Sequence, residues 1–155
     1  MVREGVRPLD NLTGITILAD TRKATKVDAV ALLSDQHADE KVTAPSSWGM
    51  EVYDFDIYRA RLWRWAELTA AYLTEYLPRH HFERLWIGHL GDSINGSIHD
   101  AELKNHFQNS LVAALAVGDV QAQVLQWLHQ QTGIPIHLVG VSGNHPRRTI
   151  RKNYA

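Results

Sequence analysis

The chain has 155 residues, of which 45% are hydrophobic, and a formal net charge of −1. This composition suits one globular domain and gives no overall positive field for binding nucleic acid. Cysteine is absent, which excludes disulfides, thiolate zinc sites and cysteine nucleophiles, so a metal ion would need His, Asp, Glu or Asn ligands. The charged N-terminus and the lack of a long apolar stretch predict a cytoplasmic protein without a signal peptide or membrane segment.

The first predicted elements are two strands followed by a long helix. GITILADT (14–21) and VDAVALLS (27–34) are apolar and rich in β-branched residues, which is typical of strands, and their short polar connection suits a hairpin. After a long loop, apolar residues recur at helical spacing from about residue 53 to residue 77, and Pro78 ends the run. The aromatic residues of this helix are expected to lie in the core.

A second strand, a second helical region and a third strand complete the pattern. RLWIGHL (84–90) is the strand, residues from about 101 to 131 are helical, and IPIHLVGVS (134–142) is a further buried strand after Gly133. Strands that alternate with helices indicate parallel pairing through helical crossovers. We therefore expect one α/β domain over residues 1–155, with a mostly parallel sheet in a layered arrangement.

Polar residues follow three of these strands, in the segments SDQH, GDSING and SGNH. The carboxyl ends of parallel strands meet at one edge of a sheet, so these residues are expected to converge: Asp35, His37, Asp92, Asn144 and His145. Each segment alone has an ordinary structural explanation, because Gly-Asp is common in capped turns and Gly-Asn in left-handed turns. Three such segments at successive strand ends favour a shared site.

The residue types fit a two-metal phosphoesterase centre. Such a centre needs a carboxylate that bridges two divalent ions, and Asp92 is the expected bridge. Asp35 and His37 are two residues apart, so an extended segment would direct both side chains to one ion, and this pair favours Mn, Fe or Zn over calcium. Asn144 offers an amide oxygen to the second ion, and His145 is expected to donate a hydrogen bond or proton to the phosphate or the leaving oxygen.

The order D-x-H, GD and GNH resembles the signature of the calcineurin-like metallophosphoesterase superfamily. GDSINGSIHDAEL and VSGNHPRRTIRK, with the helix start YDFDIYRARLWRW, further resemble a phage and prophage-type branch of that superfamily. The resemblance implies two divalent ions, manganese first and iron, zinc or magnesium as alternatives. It gives Asp35 and His37 to the first ion, Asp92 to both and Asn144 to the second, with His145 as the catalytic residue.

Two departures from the superfamily pattern affect this expectation. Pro146 stands where many members have an acidic residue that orients the GNH histidine. The later histidines of the superfamily, which end in a G-H-x-H-like motif, have no counterpart before Ala155. The sequence is therefore expected to correspond to the N-terminal part of the fold, truncated before the second half of the sandwich.

Contacts with substrate are expected from Asn95, His99 and Arg147, which lie close to the motifs in sequence. A turn-forming asparagine and a surface histidine explain the first two equally well. Trp48, in the long loop after SDQH, is a candidate for stacking on a base, whereas the other tryptophans are expected to pack in regular elements.

The sequence as a whole favours a cytoplasmic, nuclease-like phosphodiesterase that acts on phosphodiesters such as nucleic acid and does not bind membranes. Two alternatives stay open. One is a non-catalytic remnant or binding module of the same fold. The other is an enzyme completed by a second copy of the chain or by a complementing C-terminal segment.

Overall fold

A computed structural model describes residues 25–77, 80–96, 107 and 109–145 of the chain. Three strands and two long helices alternate along these residues: β1 (Thr25–Leu33), α1 (Phe55–Ala71), β2 (His80–His89), α2 (Ser110–Thr132) and β3 (Ile136–Gly140). The first predicted strand (14–21), and with it the predicted hairpin, lies outside the described residues.

The three strands form one parallel sheet in the order β1-β2-β3. Ala31 of β1 is paired with Ile87 of β2, which is paired in turn with Leu138 of β3. The predicted α/β organisation with a parallel sheet is thus confirmed. Because all three strands run in one direction, the segments that follow them leave the sheet at the same edge.

A side-chain hydrogen bond caps the start of each helix, and a left-handed glycine ends α2. The Asp54 carboxylate accepts the backbone N–H of Ile57 at 2.9 Å at the start of α1, and the Asn109 side chain accepts that of Leu111 at 2.7 Å at the start of α2. Gly133 ends α2 in the left-handed conformation, with φ of 67°. The helix predicted over 53–77 is α-helical only to Ala71, and one π-helical turn, Tyr72–Tyr76, follows it.

One face of the sheet packs against the helices. Leu33, Leu85 and Ile87 point to this face and are buried together with Leu62 of α1 and Leu128 of α2. The helices also contact each other, and the rings of Trp63 and Trp127 meet edge to face at 5.7 Å, which confirms the packing role predicted for these two tryptophans. The described residues therefore form two layers, helices over sheet.

The described residues leave the opposite face of the sheet open. Val30 and Leu32, which alternate with the buried residues of β1, are 69% and 58% exposed, and Val139 of β3 is 56% exposed. The prediction that β3 is a buried strand is therefore wrong. An apolar run is expected to be covered on both faces. Among the described strands, however, β3 lies at the edge of the sheet, and the described helices cover only one face.

Within the described part of the chain, α2 is the one helix long and apolar enough to cross a membrane, judged by length and composition. Core helices of globular proteins meet the same criterion. Ala113, Val117, Val124 and Leu128 of α2 are buried in the core shared with the sheet, which accounts for its apolar face.

Candidate active site

The segments that follow β1 and β2 are joined by backbone hydrogen bonds. The N–H of His37 donates to the carbonyl oxygen of Asp92 at 3.0 Å, and the N–H of Ala38 donates to that of Ser93 at 2.9 Å. These bonds place the D-x-H segment directly beside the Gly-Asp segment, as the parallel sheet predicts.

The conformation of the D-x-H segment differs from the expected one. Asp35 and His37 have φ of 48° and 42°, so both are in the left-handed region and the segment is not extended. The argument that an extended segment directs both side chains to the same ion is therefore wrong. Asp35 instead lines a pocket beside α1, where its carboxylate accepts a hydrogen bond from the Ser34 hydroxyl, while His37 faces the segment after β3.

Two glycines allow the segments after β2 and β3 to touch. A Cβ atom on Gly91 would lie 2.5 Å from the backbone nitrogen of Gly143, and a Cβ atom on Gly143 would overlap the Asp92 side chain. Gly91 also has φ of 91°, which favours glycine. With the two backbones in contact, the Asp92 Oδ1 atom accepts the backbone N–H of His145 at 2.9 Å.

The imidazole rings of His37 and His145 meet at this junction. Their centroids are 4.7 Å apart and the rings are nearly perpendicular. Asn144, the residue before His145, is exposed, and Asp92 is 9% exposed. Three segments that are far apart in sequence thus contribute Asp92, His37 and His145 to one small region, with Asn144 at its surface.

Asn95 has a different environment from that expected of a substrate-binding residue. It is only 7% exposed, and its side-chain Oδ1 is hydrogen-bonded to Nδ1 of His37. Its backbone N–H donates to the buried carboxylate of Asp39 at 2.6 Å. The buried Asn95 side chain therefore contacts the His37 ring and holds it in place. His99 and Arg147 lie outside the described residues.

Next to the site, a cluster of polar side chains connects the ends of β1 and β2 to the helices α1 and α2 by hydrogen bonds. The Oε1 atom of Gln36 accepts hydrogen bonds from the Tyr58 hydroxyl at 3.0 Å and from Gln121 at 3.1 Å. His89, at the end of β2, is within 2.7 Å of the Ser93 hydroxyl and 3.4 Å of Gln121. Burial raises the pKa of Tyr58 to about 12, so its hydroxyl stays protonated and donates. His89 is thus half-buried and hydrogen-bonded at the end of β2.

Sequence reasoning did not identify Gln36, Asp39 or Gln121. Gln36 occupies the variable position of D-x-H. Gln121 is one of five glutamines in α2, and the sequence offers no signal that separates it from the others. Asp39 is 1% exposed, a burial that cannot be inferred from a loop sequence.

No family model, curated protein or solved structure matches this chain. The resemblance to metallophosphoesterases therefore rests on the sequence motifs alone.

The candidate ligands are of the types that bind a divalent metal, but few of them lie close together. Carboxylate, imidazole and amide donors are the ligands that manganese, iron and zinc accept. Among the residues that the structure describes, however, no three His, Asp or Glu side chains are grouped closely enough to hold an ion. His37, Asp92 and His145 come together at the junction, and the exposed Asn144 precedes His145 in the chain, whereas Asp35 lines the pocket beside α1.

A second cavity adjoins Asp92 on the side of α2. It has a volume of about 300 Å³, and its walls include His89, Ile94, Val117, Gly118 and Gly143. Asp92 thus lies at a cavity with mostly apolar walls, a setting in which a few polar groups determine how a ligand is oriented.

Proposed function

We propose that this chain is a metal-dependent phosphoesterase domain with a metallophosphoesterase-like fold, acting on phosphodiesters such as nucleic acid. The observation that supports it is the junction of three strand ends at Asp92. The Asp92 carbonyl accepts the His37 N–H, and its carboxylate accepts the His145 N–H. The D-x-H, Gly-Asp and Gly-Asn-His segments are brought together here, although Asp92 and His145 are 53 positions apart in the chain.

In this proposal His37, Asp92 and Asn144 are the central metal ligands. Asp35, which lines the pocket beside α1, would have to rotate toward His37 to serve as the further carboxylate of the first ion. Divalent ions, manganese first, would supply Lewis-acid activation of the phosphate. The Asn95 amide oxygen accepts a hydrogen bond, so Nδ1 of His37 is its protonated nitrogen and Nε2 keeps the lone pair that a metal ligand requires.

His145 is the proposed proton donor to the leaving oxygen. Its backbone is fixed by Asp92, and its ring contacts the edge or face of His37, so its position relative to the ligands is defined without an acidic residue at position 146. General acid catalysis contributes about 10²–10⁴-fold to rate in enzymes of this kind.

A binding module of the same fold is the second candidate. It is favoured by the absence of a group of three acidic or histidine ligands among the described residues. The open face of the sheet, with Val30, Leu32 and Val139 exposed, instead suits completion of a two-sheet sandwich by a second copy or a complementing segment.

Metal content and hydrolysis of bis(p-nitrophenyl) phosphate test the proposal together. We expect manganese-dependent turnover that Asp92→Ala abolishes along with metal binding, while His145→Ala keeps the metal and loses about 10²–10⁴-fold in rate. Asp119→Ala is the matched control, because it removes the aspartate of another Gly-Asp pair that is exposed on α2. Turnover that persists in Asp92→Ala would refute the proposal, and metal binding without turnover would favour the binding module.

A further inference from the structure

A pocket of about 230 Å³ opens between α1 and the segment that follows β1. We call it the Arg61 pocket, and the residues that define its chemistry are Asp35, Gln36, Tyr53, Tyr58, Arg61 and Trp65. Because Asp35 is both a wall of this pocket and a proposed metal ligand, a molecule bound here would lie next to the candidate active site.

The tyrosines present rings rather than hydroxyls to the pocket. The Tyr53 hydroxyl donates to the backbone carbonyl of Gln36 at 2.9 Å, and the Tyr58 hydroxyl donates to the Gln36 side chain at 3.0 Å. Burial is the main cause that raises the pKa of both tyrosines, so they remain neutral at physiological pH. With their polar atoms engaged, the rings form an apolar, aromatic wall.

Arg61 supplies a positive charge at the rim. Its guanidinium lies over the Tyr53 ring, 5.2 Å from the centroid, and it is three residues after Tyr58 and four before Trp65, which places all three on one face of α1. The neighbouring arginines differ, because Arg59 pairs with Asp56 and Arg64 pairs with Glu67. No described carboxylate forms an ion pair with Arg61.

We propose that the Arg61 pocket binds one nucleoside unit of the substrate, with the base against the aromatic wall and the adjoining phosphate on Arg61. This inference rests on the proposed function and names its substrate class. Arginine suits phosphate because its planar fork presents paired donors, and bases stack readily on aromatic side chains. The volume is below the roughly 300–1,000 Å³ of sites for larger ligands, so the pocket takes one base and not two.

Binding of thymidine 5′-monophosphate to the full chain, followed by NMR titration, tests the pocket without any catalytic step. Arg61→Gln should raise the dissociation constant about tenfold, as expected for a lost hydrogen bond to a charged group. Arg64→Gln, which removes the same charge from the same helix, should leave it unchanged. Equal affinity in wild type and Arg61→Gln would overturn the proposal, as would inorganic phosphate that binds as tightly as the nucleotide.

Kinetics provide the second test. We compare kcat/KM for thymidine 5′-p-nitrophenyl phosphate with kcat/KM for methyl p-nitrophenyl phosphate, which lacks a base. Trp65→Leu, which removes one aromatic ring from the pocket, should lower the ratio of the two about tenfold, and Arg64→Gln should preserve it. An unchanged ratio in Trp65→Leu would refute the pocket. If wild type hydrolyses neither ester, the proposed function fails, and the nucleotide titration alone decides whether the pocket binds.

Discussion

The backbone N–H of His145 donates a hydrogen bond to the Asp92 carboxylate at 2.9 Å. This contact requires the segments after β2 and β3 to approach until Gly143 touches Asp92, leaving no room for a side chain at position 143. The Gly-Asp and Gly-Asn-His segments are therefore held together by glycine packing and one charge-assisted hydrogen bond, both of which can be tested by substitution.

Gly143→Ala should disrupt this junction. Its Cβ atom would overlap the Asp92 side chain, so we expect a loss of about 1–3 kcal/mol in the free energy of unfolding and chemical-shift changes at Asp92 and His145. Urea unfolding and amide NMR spectra measure both. Gly140→Ala is the control, because there the nearest atoms lie 3.5 and 3.6 Å away, at ordinary contact distance. Similar losses in both variants would contradict the steric argument.

Asn95→Ala should change the protonation pattern of the His37 ring. It removes the buried acceptor that faces Nδ1, and an unpaired buried donor costs about 1–3 kcal/mol in stability. We expect the imidazole ¹⁵N shifts of His37 to move away from those of the Nδ1-protonated tautomer. Asn144→Ala, at an exposed position nearby, should leave those shifts in place. Unaltered His37 shifts in Asn95→Ala would show that Asn95 does not set the tautomer.

Gly118 and Gly133 provide a contrast in backbone conformation. A Cβ atom would meet nothing within 4 Å at either position, but Gly118 is inside α2 and Gly133 has φ of 67°. Gly118→Ala should stabilise the protein by roughly 0.5–1 kcal/mol through helix propensity. Gly133→Ala should destabilise it by about 1–2 kcal/mol, because a Cβ atom is disfavoured in the left-handed region. Thermal unfolding of the two variants should show shifts of opposite sign.

The free energy of unfolding should depend on pH through Asp28, which lies on the open face of the sheet. The Trp86 indole N–H donates to its carboxylate at 3.0 Å, and Arg84 donates to it at 3.1 Å, and these contacts lower the pKa of Asp28. A lowered folded-state pKa means that the stabilisation is present above the unfolded-state value and is lost as the pH falls through the folded-state value. Carboxyl NMR titration should show the Asp28 pKa rising in Trp86→Phe and unchanged in Trp63→Phe.

The exposed apolar residues of the same face should promote self-association. Val30 of β1 and Val139 of β3 are 69% and 56% exposed on the two strands that flank β2, and exposed apolar surface of this kind drives association. We expect sedimentation to show dimers or larger species that Val30→Lys with Val139→Lys reduces to monomers. Leu111→Lys, at a position 67% exposed on α2, is the control and should not have this effect. A wild-type monomer at high concentration would contradict the prediction.

The sequence predicted the framework because regular elements depend on local patterns. Apolar runs and helical spacing located the strands that contain residues 27–33, 84–89 and 136–140, and the order of elements predicted parallel pairing. The π-helical turn after Ala71 and the exposure of β3 were not predictable, because they depend on how the chain packs rather than on residue type.

The sequence by itself determined which residues follow the three strands, since the positions of Asp35, Asp92 and His145 relative to apolar runs are properties of the chain alone. Only the tertiary structure decided how those residues are used. Left-handed φ angles at Asp35 and His37 separate two side chains that sequence spacing would have paired, and the contact of Gly91 with Gly143 brings His145 onto Asp92. Burial likewise turns Asn95 from a candidate for substrate binding into the support of His37. Such relationships arise between segments more than fifty residues apart, where no local pattern reports which side chain faces which.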